Sequence, residues 1–67
     1  MKVQLINLGR NKVNEIVYPA DMAALRRIIN RHVLHDSWKL IPSCKEDNEY
    51  RVIHGMDVIG TIKILKQ

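Results

Sequence analysis

Five basic side chains in the first half of the chain have the chemistry to hold an anion. Arg26, Arg27 and Arg31 lie close together, and Arg10 and Lys12 precede them. A guanidinium group donates two parallel hydrogen bonds to a phosphate or a carboxylate. This group of cations therefore predicts contact with nucleic-acid phosphates or with an acidic partner. The alternative is a solvated helix surface, because cations near the C-terminal end of a helix also suit its dipole.

The excess of basic over acidic residues lies entirely in the first half of the chain. The 67 residues include 11 Lys and Arg and 7 Asp and Glu, giving a formal net charge of +4. Residues 1–34 hold six basic and two acidic residues, whereas residues 35–67 hold five of each. Such asymmetry favours a polyanionic partner, either nucleic acid or an acidic protein surface. An excess of charge also aids solubility, which is the simpler interpretation.

Four side chains are of a type that binds metal ions, namely His32, His35, Cys44 and His54. The first two have the spacing that puts two imidazoles on one face of a helix. Structural zinc sites usually contain two such close pairs, and the other two residues are isolated in sequence. We therefore predict no metal site and no cofactor.

No combination of residues predicts catalysis. Ser37, Ser43 and Cys44 are possible nucleophiles, but no spacing pairs any of them with one particular histidine, as a positioned base would require. The acidic residues of the segment 46–49 are most simply explained as a solvated loop. We predict that the protein is not an enzyme, and no small-molecule substrate is indicated.

One amphipathic helix is expected to carry the arginines. Pro19 and Asp21 are typical of a helix start, and the pattern predicts a helix over residues 20–34. At 100° per residue the arginines and Asn30 fall on one side. The opposite, apolar arc comprises Met22, Leu25, Ile28, Ile29, His32 and Val33.

The remaining segments are predicted to be strands. Apolar and β-branched residues indicate strands over residues 2–8, 13–17, 38–41, 49–53 and 58–65, with turns at Gly9 and Gly55. The expected fold is a single α+β domain over residues 1–67, in the order β-β-α-β-β-β. It is a two-layer sandwich in which one helix packs on a mainly antiparallel sheet of four or five strands.

Two of these strands have aliphatic side chains on both faces. In the first strand Val3 and Leu5 share one parity and Ile6 and Leu8 the other, and the last strand shows the same pattern. A single helix can cover only one face of a sheet. We therefore predict that a partner or a second copy contacts the apolar residues of the other face, Ile6, Leu8, Ile59 and Leu65. The alternative is that these residues are ordinary surface aliphatics.

Size and cysteine content complete the functional prediction. A chain of 67 residues buries a modest core, and a single cysteine cannot form an internal disulfide. The lone thiol and the absence of an apolar run at the N-terminus favour the cytoplasm. We predict a non-enzymatic protein-interaction module that forms a homodimer through its sheet or an edge strand, in the manner of a phage or mobile-element accessory protein. The alternative is a small nucleic-acid-binding domain that contacts phosphates through Arg10, Lys12, Arg26, Arg27 and Arg31.

Overall fold

The computed structural model describes residues 1–33, 37–43 and 47–65. Within these ranges one helix and five strands follow each other in the order β1 (Lys2–Leu8), β2 (Val13–Val17), α1 (Met22–His32), β3 (Lys39–Pro42), β4 (Glu49–His54) and β5 (Asp57–Leu65). The strands form one sheet in the order β2-β1-β5-β4-β3, and every neighbouring pair is antiparallel. This confirms the predicted α+β fold, with five strands in the sheet.

Helix α1 begins where a side chain satisfies its first amides. The Asp21 carboxylate accepts a hydrogen bond from the backbone N–H of Ala24 at 2.8 Å, as an N-cap residue does. Leu25 and Ile29 are fully buried against the sheet. The prediction that Met22 packs inward is wrong, since it is 43% exposed. Side chains tilt towards the helix N-terminus, so that of the first helical residue extends beyond the helix end.

The end of β1 departs from simple alternation. Asn7 has a φ of 49°, and the β1–β2 register shifts between Leu5 and Leu8. This irregularity turns Leu8 to the same side as Leu5, where it is fully buried. The assignment of Leu8 to one face with Ile6 is therefore wrong, because strict alternation stops at Asn7.

Leu8 also explains the glycine in the last strand. A Cβ atom on Gly60 would lie 2.6 Å from Leu8 Cδ1 and 2.9 Å from Leu8 Cα. The register of β4 and β5 shifts at the same place, because Val52 pairs with Gly60 but Ile53 pairs with Val58. Only a residue without a side chain lets β1 approach β5 so closely.

The core lies between α1 and one face of the sheet. Its buried members are Val3, Leu5, Leu8, Leu25, Ile29, Val33, Trp38, Val52 and Ile62. Trp38 precedes β3 and is 7% exposed, and its indole Nε1 donates a hydrogen bond to the Asn30 side-chain oxygen at 2.6 Å. The Trp38 ring therefore connects the C-terminal half of α1 to the segment that leads into strand β3.

Among the described residues, no helix has both the length and the hydrophobicity required to cross a membrane.

Candidate protein-binding face and adjacent cleft

The pairing of the strands defines which side chains lie on the face of the sheet opposite α1, called here the open face. Directly opposed residues share a face. Gln4 pairs with Ile16 and Lys63, and Lys63 pairs with Glu49, which forms one row across the sheet. The next row runs from Ile6 through Thr61 and Arg51 to Ile41. A third row contains Lys39, Ile53 and Val58.

The open face combines aliphatic residues with an excess of positive charge. On the described strands its charged members are four cations and one carboxylate, namely Lys2, Lys39, Arg51, Lys63 and Glu49. Glu49 stands directly opposite Lys63, so the remaining cations dominate the field on this side. Its aliphatic members are Ile6, Ile16, Ile41, Ile53, Val58 and Leu65.

Several of these aliphatic side chains remain accessible. Ile16 on β2 is 46% exposed and Ile41 on β3 is 44% exposed, so both edges of the open face present hydrocarbon. No aromatic side chain lies on this face within the described strands: Tyr50 pairs with Ile62 on the helix side. The open face therefore offers apolar contacts and cations but, in the described strands, no ring on which a base could stack.

The helix arginines do not form one uniform surface. The guanidinium carbon of Arg26 lies 5.5 Å from the centre of the Trp38 ring, in a cation–π contact. Arg27 and Arg31 are exposed. Arg26 is exposed as well, so all three helix arginines are accessible to solvent, and Arg26 differs from the other two by its contact with the Trp38 ring.

Of the four predicted residues of metal-binding type, the structure describes only His32 and His54. His32 Nε2 lies 3.6 Å from the Glu15 carboxylate, which links the end of α1 to strand β2. His35 and Cys44, two of the four residues of metal-binding type, lie outside the described residues. In the described part of the chain, no three His, Cys, Asp or Glu residues come together in a way that could hold a metal ion.

A cleft of about 620 Å³ opens where the open face meets the β1–β2 loop. It is lined by two cations, by apolar residues and by small polar residues: Ile6, Asn7, Gly9, Arg10, Lys12, Val33, Val58, Ile59, Gly60 and Thr61. The described lining contains no carboxylate. Such a cleft combines a hydrocarbon surface with positive charge at its mouth.

The loop that carries the two cations is held by hydrogen bonds. The Asn14 side chain accepts from the Asn7 backbone N–H at 3.1 Å and donates to the Lys12 carbonyl at 2.8 Å. The Gly9 N–H donates to the Ile59 carbonyl at 2.8 Å. Asn7, Gly9 and Lys12 all have positive φ, at 49°, 73° and 52°. Glycine adopts this conformation freely, but at Asn7 and Lys12 it persists only where the surroundings hold it.

The structure distributes the predicted site residues among four places. Ile6 and Ile59 lie in the cleft together with Arg10 and Lys12. Leu65 lies on the open face opposite Lys2. Leu8 is fully buried in the core and does not reach a surface. Arg26, Arg27 and Arg31 lie on α1.

Sequence reasoning missed the cations of the open face. Lys39 and Ile41 lie two residues apart on β3, as do Arg51 and Ile53 on β4, so the members of each pair point to the same side of their strand. This spacing is visible in the sequence. Assigning both pairs to the same face requires the register between the strands, which the sequence does not reveal.

The chain was compared with protein-family models, with curated proteins and with solved structures, and none of the three comparisons found a match.

Proposed function

We propose that this protein is a non-enzymatic interaction module whose open face binds an acidic surface of another protein. The observation that carries the proposal is the composition of that face, where four cations and one carboxylate lie among aliphatic side chains of the described strands. Charges of one sign speed encounter with a partner of opposite sign, and desolvated aliphatic contacts hold the complex.

The charge of the open face favours a foreign partner over a second copy at this surface. Two copies meeting face to face would bring the cations of both sheets together, and like charges in an interface are unfavourable. An acidic partner would instead neutralise Lys39 and Arg51 while contacting Ile41 and Ile53 beside them.

The size of the face indicates the class of complex. Strands about 4.8 Å apart with a rise of about 3.3 Å per residue give a five-stranded face a footprint of roughly 500 Å². Specific interfaces at the lower end of the usual range bury about 600 Å² on each partner. The open face therefore suits a small, reversible interface.

A matched pair of charge-reversal variants tests the proposal. Lys39→Glu with Arg51→Glu alters the open face, and Arg27→Glu with Arg31→Glu alters the helix by the same change in net charge. The full-length protein and both variants are used to capture partners from two portions of a lysate of the source organism, one treated with nuclease and one untreated. A captured protein is then purified, and its affinity for each variant is measured by calorimetry.

We expect an acidic protein whose dissociation constant rises at least about tenfold with the open-face variant and stays within about twofold with the helix variant. Equal loss in both variants would mean that only overall charge matters. Loss only in the helix variant, or capture that disappears with nuclease, would favour the nucleic-acid alternative through Arg27 and Arg31. Each of these results, or failure to find any binder that depends on the open face, contradicts the proposal.

Self-association through β2 is a second candidate, supported by a difference between the two edges of the sheet. Strand β3 begins with Lys39 and ends with Pro42, and both residue types discourage pairing with another strand. Strand β2 contains neither lysine nor proline, and Ile16 is half exposed on it. A second copy would therefore add to the sheet at β2.

Sedimentation over a range of concentrations tests this candidate. Ile16→Lys should weaken a dimer by at least about tenfold, because it places a charge at the new strand–strand contact. Ile41→Lys is the matched control, since that side chain has a similar exposure on the opposite edge. A monomer at every concentration, or equal effects of the two variants, would contradict pairing through β2.

A further inference from the structure

We infer that the cleft beside the β1–β2 loop is a binding site for a small amphiphilic anion, that is, a carboxylate or phosphate group on an aliphatic body. This site adjoins the proposed protein contact and shares Ile6, Val58 and Thr61 with the open face, but its two cations, Arg10 and Lys12, lie on the β1–β2 loop outside that face. The inference combines the shape of the cleft, the sign of its charges, its apolar wall and the way its loop is held.

The volume of the cleft fits a small molecule. Ligand pockets in proteins typically measure about 300–1,000 Å³, and this cleft measures about 620 Å³. It is formed by the end of β1 and the β1–β2 loop on one side and the first half of β5 on the other, with Val33 at the end of α1. A concave site between a loop and a strand can enclose several faces of a small ligand, whereas a flat surface can contact only one.

The charge of the cleft selects an anion. Arg10 and Lys12 are both exposed and both belong to its lining, and none of its described lining residues is acidic. Asp57, the residue before Val58, is outside the lining and stands opposite His54 in the register of β4 and β5. An anionic group between a guanidinium and an ammonium would form charge-assisted hydrogen bonds that a neutral group could not match.

The wall of the cleft selects a hydrocarbon. Ile6, Val33, Val58 and Ile59 contribute aliphatic surface to it. Gly60 contributes only backbone atoms to the wall. A side chain there would collide with Leu8, which packs against Gly60 from the core. Covering this surface with an aliphatic chain removes apolar area from water on both partners.

The loop places its two cations before any ligand arrives. Lys12 is held at a positive φ by the Asn14 contact to its carbonyl, and a lysine rarely adopts this conformation without support. Gly9 packs directly on the end of α1, since a Cβ atom there would overlap the His32 carbonyl. A site that is already ordered loses less conformational entropy when it binds its ligand.

Titration of the isotopically labelled full-length protein with decanoate, decyl phosphate and decanol, followed by amide resonances, tests the inference. The two anions should shift the amides of Asn7, Gly9, Gly60 and Thr61, with a dissociation constant of about 1 mM or tighter. Decanoate and decyl phosphate together distinguish the two headgroups. Decanol has the same chain without the charge and should bind at least about tenfold more weakly.

A variant pair locates the anion. Arg10→Gln with Lys12→Asn removes both charges, and asparagine accepts the left-handed backbone at position 12. It should weaken decanoate at least about tenfold, while Arg27→Gln with Arg31→Gln, which removes two charges from α1, should leave the affinity unchanged. No shift at the cleft amides, equal binding of decanol, or equal loss in both variants would overturn the inference.

Discussion

The contact between Gly60 and Leu8 makes a quantitative prediction about stability. In Gly60→Ala the new methyl group would lie 2.6 Å from Leu8 Cδ1 and 2.9 Å from Leu8 Cα. The side-chain atom can rotate away, but the Cα atom can move only if β1 separates from β5. Overpacking of this kind costs about 1–3 kcal/mol, and loosening the fully buried Leu8 adds to that cost.

The unfolded chain offsets a small part of this loss. Replacing glycine with alanine reduces the entropy of the unfolded state by about 0.4–1 kcal/mol in favour of folding. We therefore expect Gly60→Ala to lower the free energy of unfolding by about 2 kcal/mol. In a domain of this size each kcal/mol lowers the melting temperature by about 4–8 °C.

Urea denaturation followed by far-ultraviolet circular dichroism measures the effect. Gly55→Ala is the control: its φ is 63° but nothing lies within 4 Å of the added atom, so only the backbone cost of about 1 kcal/mol applies. A Gly60→Ala protein as stable as the parent, or one destabilised no more than Gly55→Ala, would refute the steric argument.

Three further substitutions test other contacts through the same denaturation assay. Asp21→Ala removes the N-cap of α1 and should cost about 1 kcal/mol, whereas Asp21→Asn should retain most of the stability. Trp38→Phe removes the hydrogen bond to Asn30 and should cost about 1 kcal/mol or more; no loss would mean that this bond contributes little. Leu25→Ala opens a cavity in the fully buried core and should cost about 2–5 kcal/mol, and a loss below 1 kcal/mol would contradict its central position.

The elements of the fold were largely predictable because their signals are local. The apolar arc of α1 and the Pro19 and Asp21 signals predict a helix, and the structure places it over Met22–His32, within the predicted range. Each predicted strand is present, with bounds that differ by one residue at some ends. Trp38 falls just outside β3, because the pairing of β3 with β4 starts at Lys39. Its ring is buried in the core.

Features that depend on contacts between distant segments were not predictable. The inward turn of Leu8 depends on the positive φ of Asn7 and on the space left by Gly60, which lies at the other end of the chain. The cleft depends on the same junction. The alternation of side chains along one strand carries no information about contacts with a distant strand. The sequence therefore indicated that Ile6, Leu8, Ile59 and Leu65 could be surface residues, but not where each of them lies in the fold.

The adjacency of β1 and β5 has a consequence for how the chain folds. Lys2 pairs with Leu65, so the central strand β5 and its neighbour β1 come from distant parts of the sequence. Closing a loop of that length costs about 4 kcal/mol of chain entropy before any contact compensates for it. Folding should therefore be slow for so small a domain. A circular permutant that links the two ends of the chain directly and opens the chain at the exposed Met56 would turn that distant pairing into a local hairpin and should fold faster.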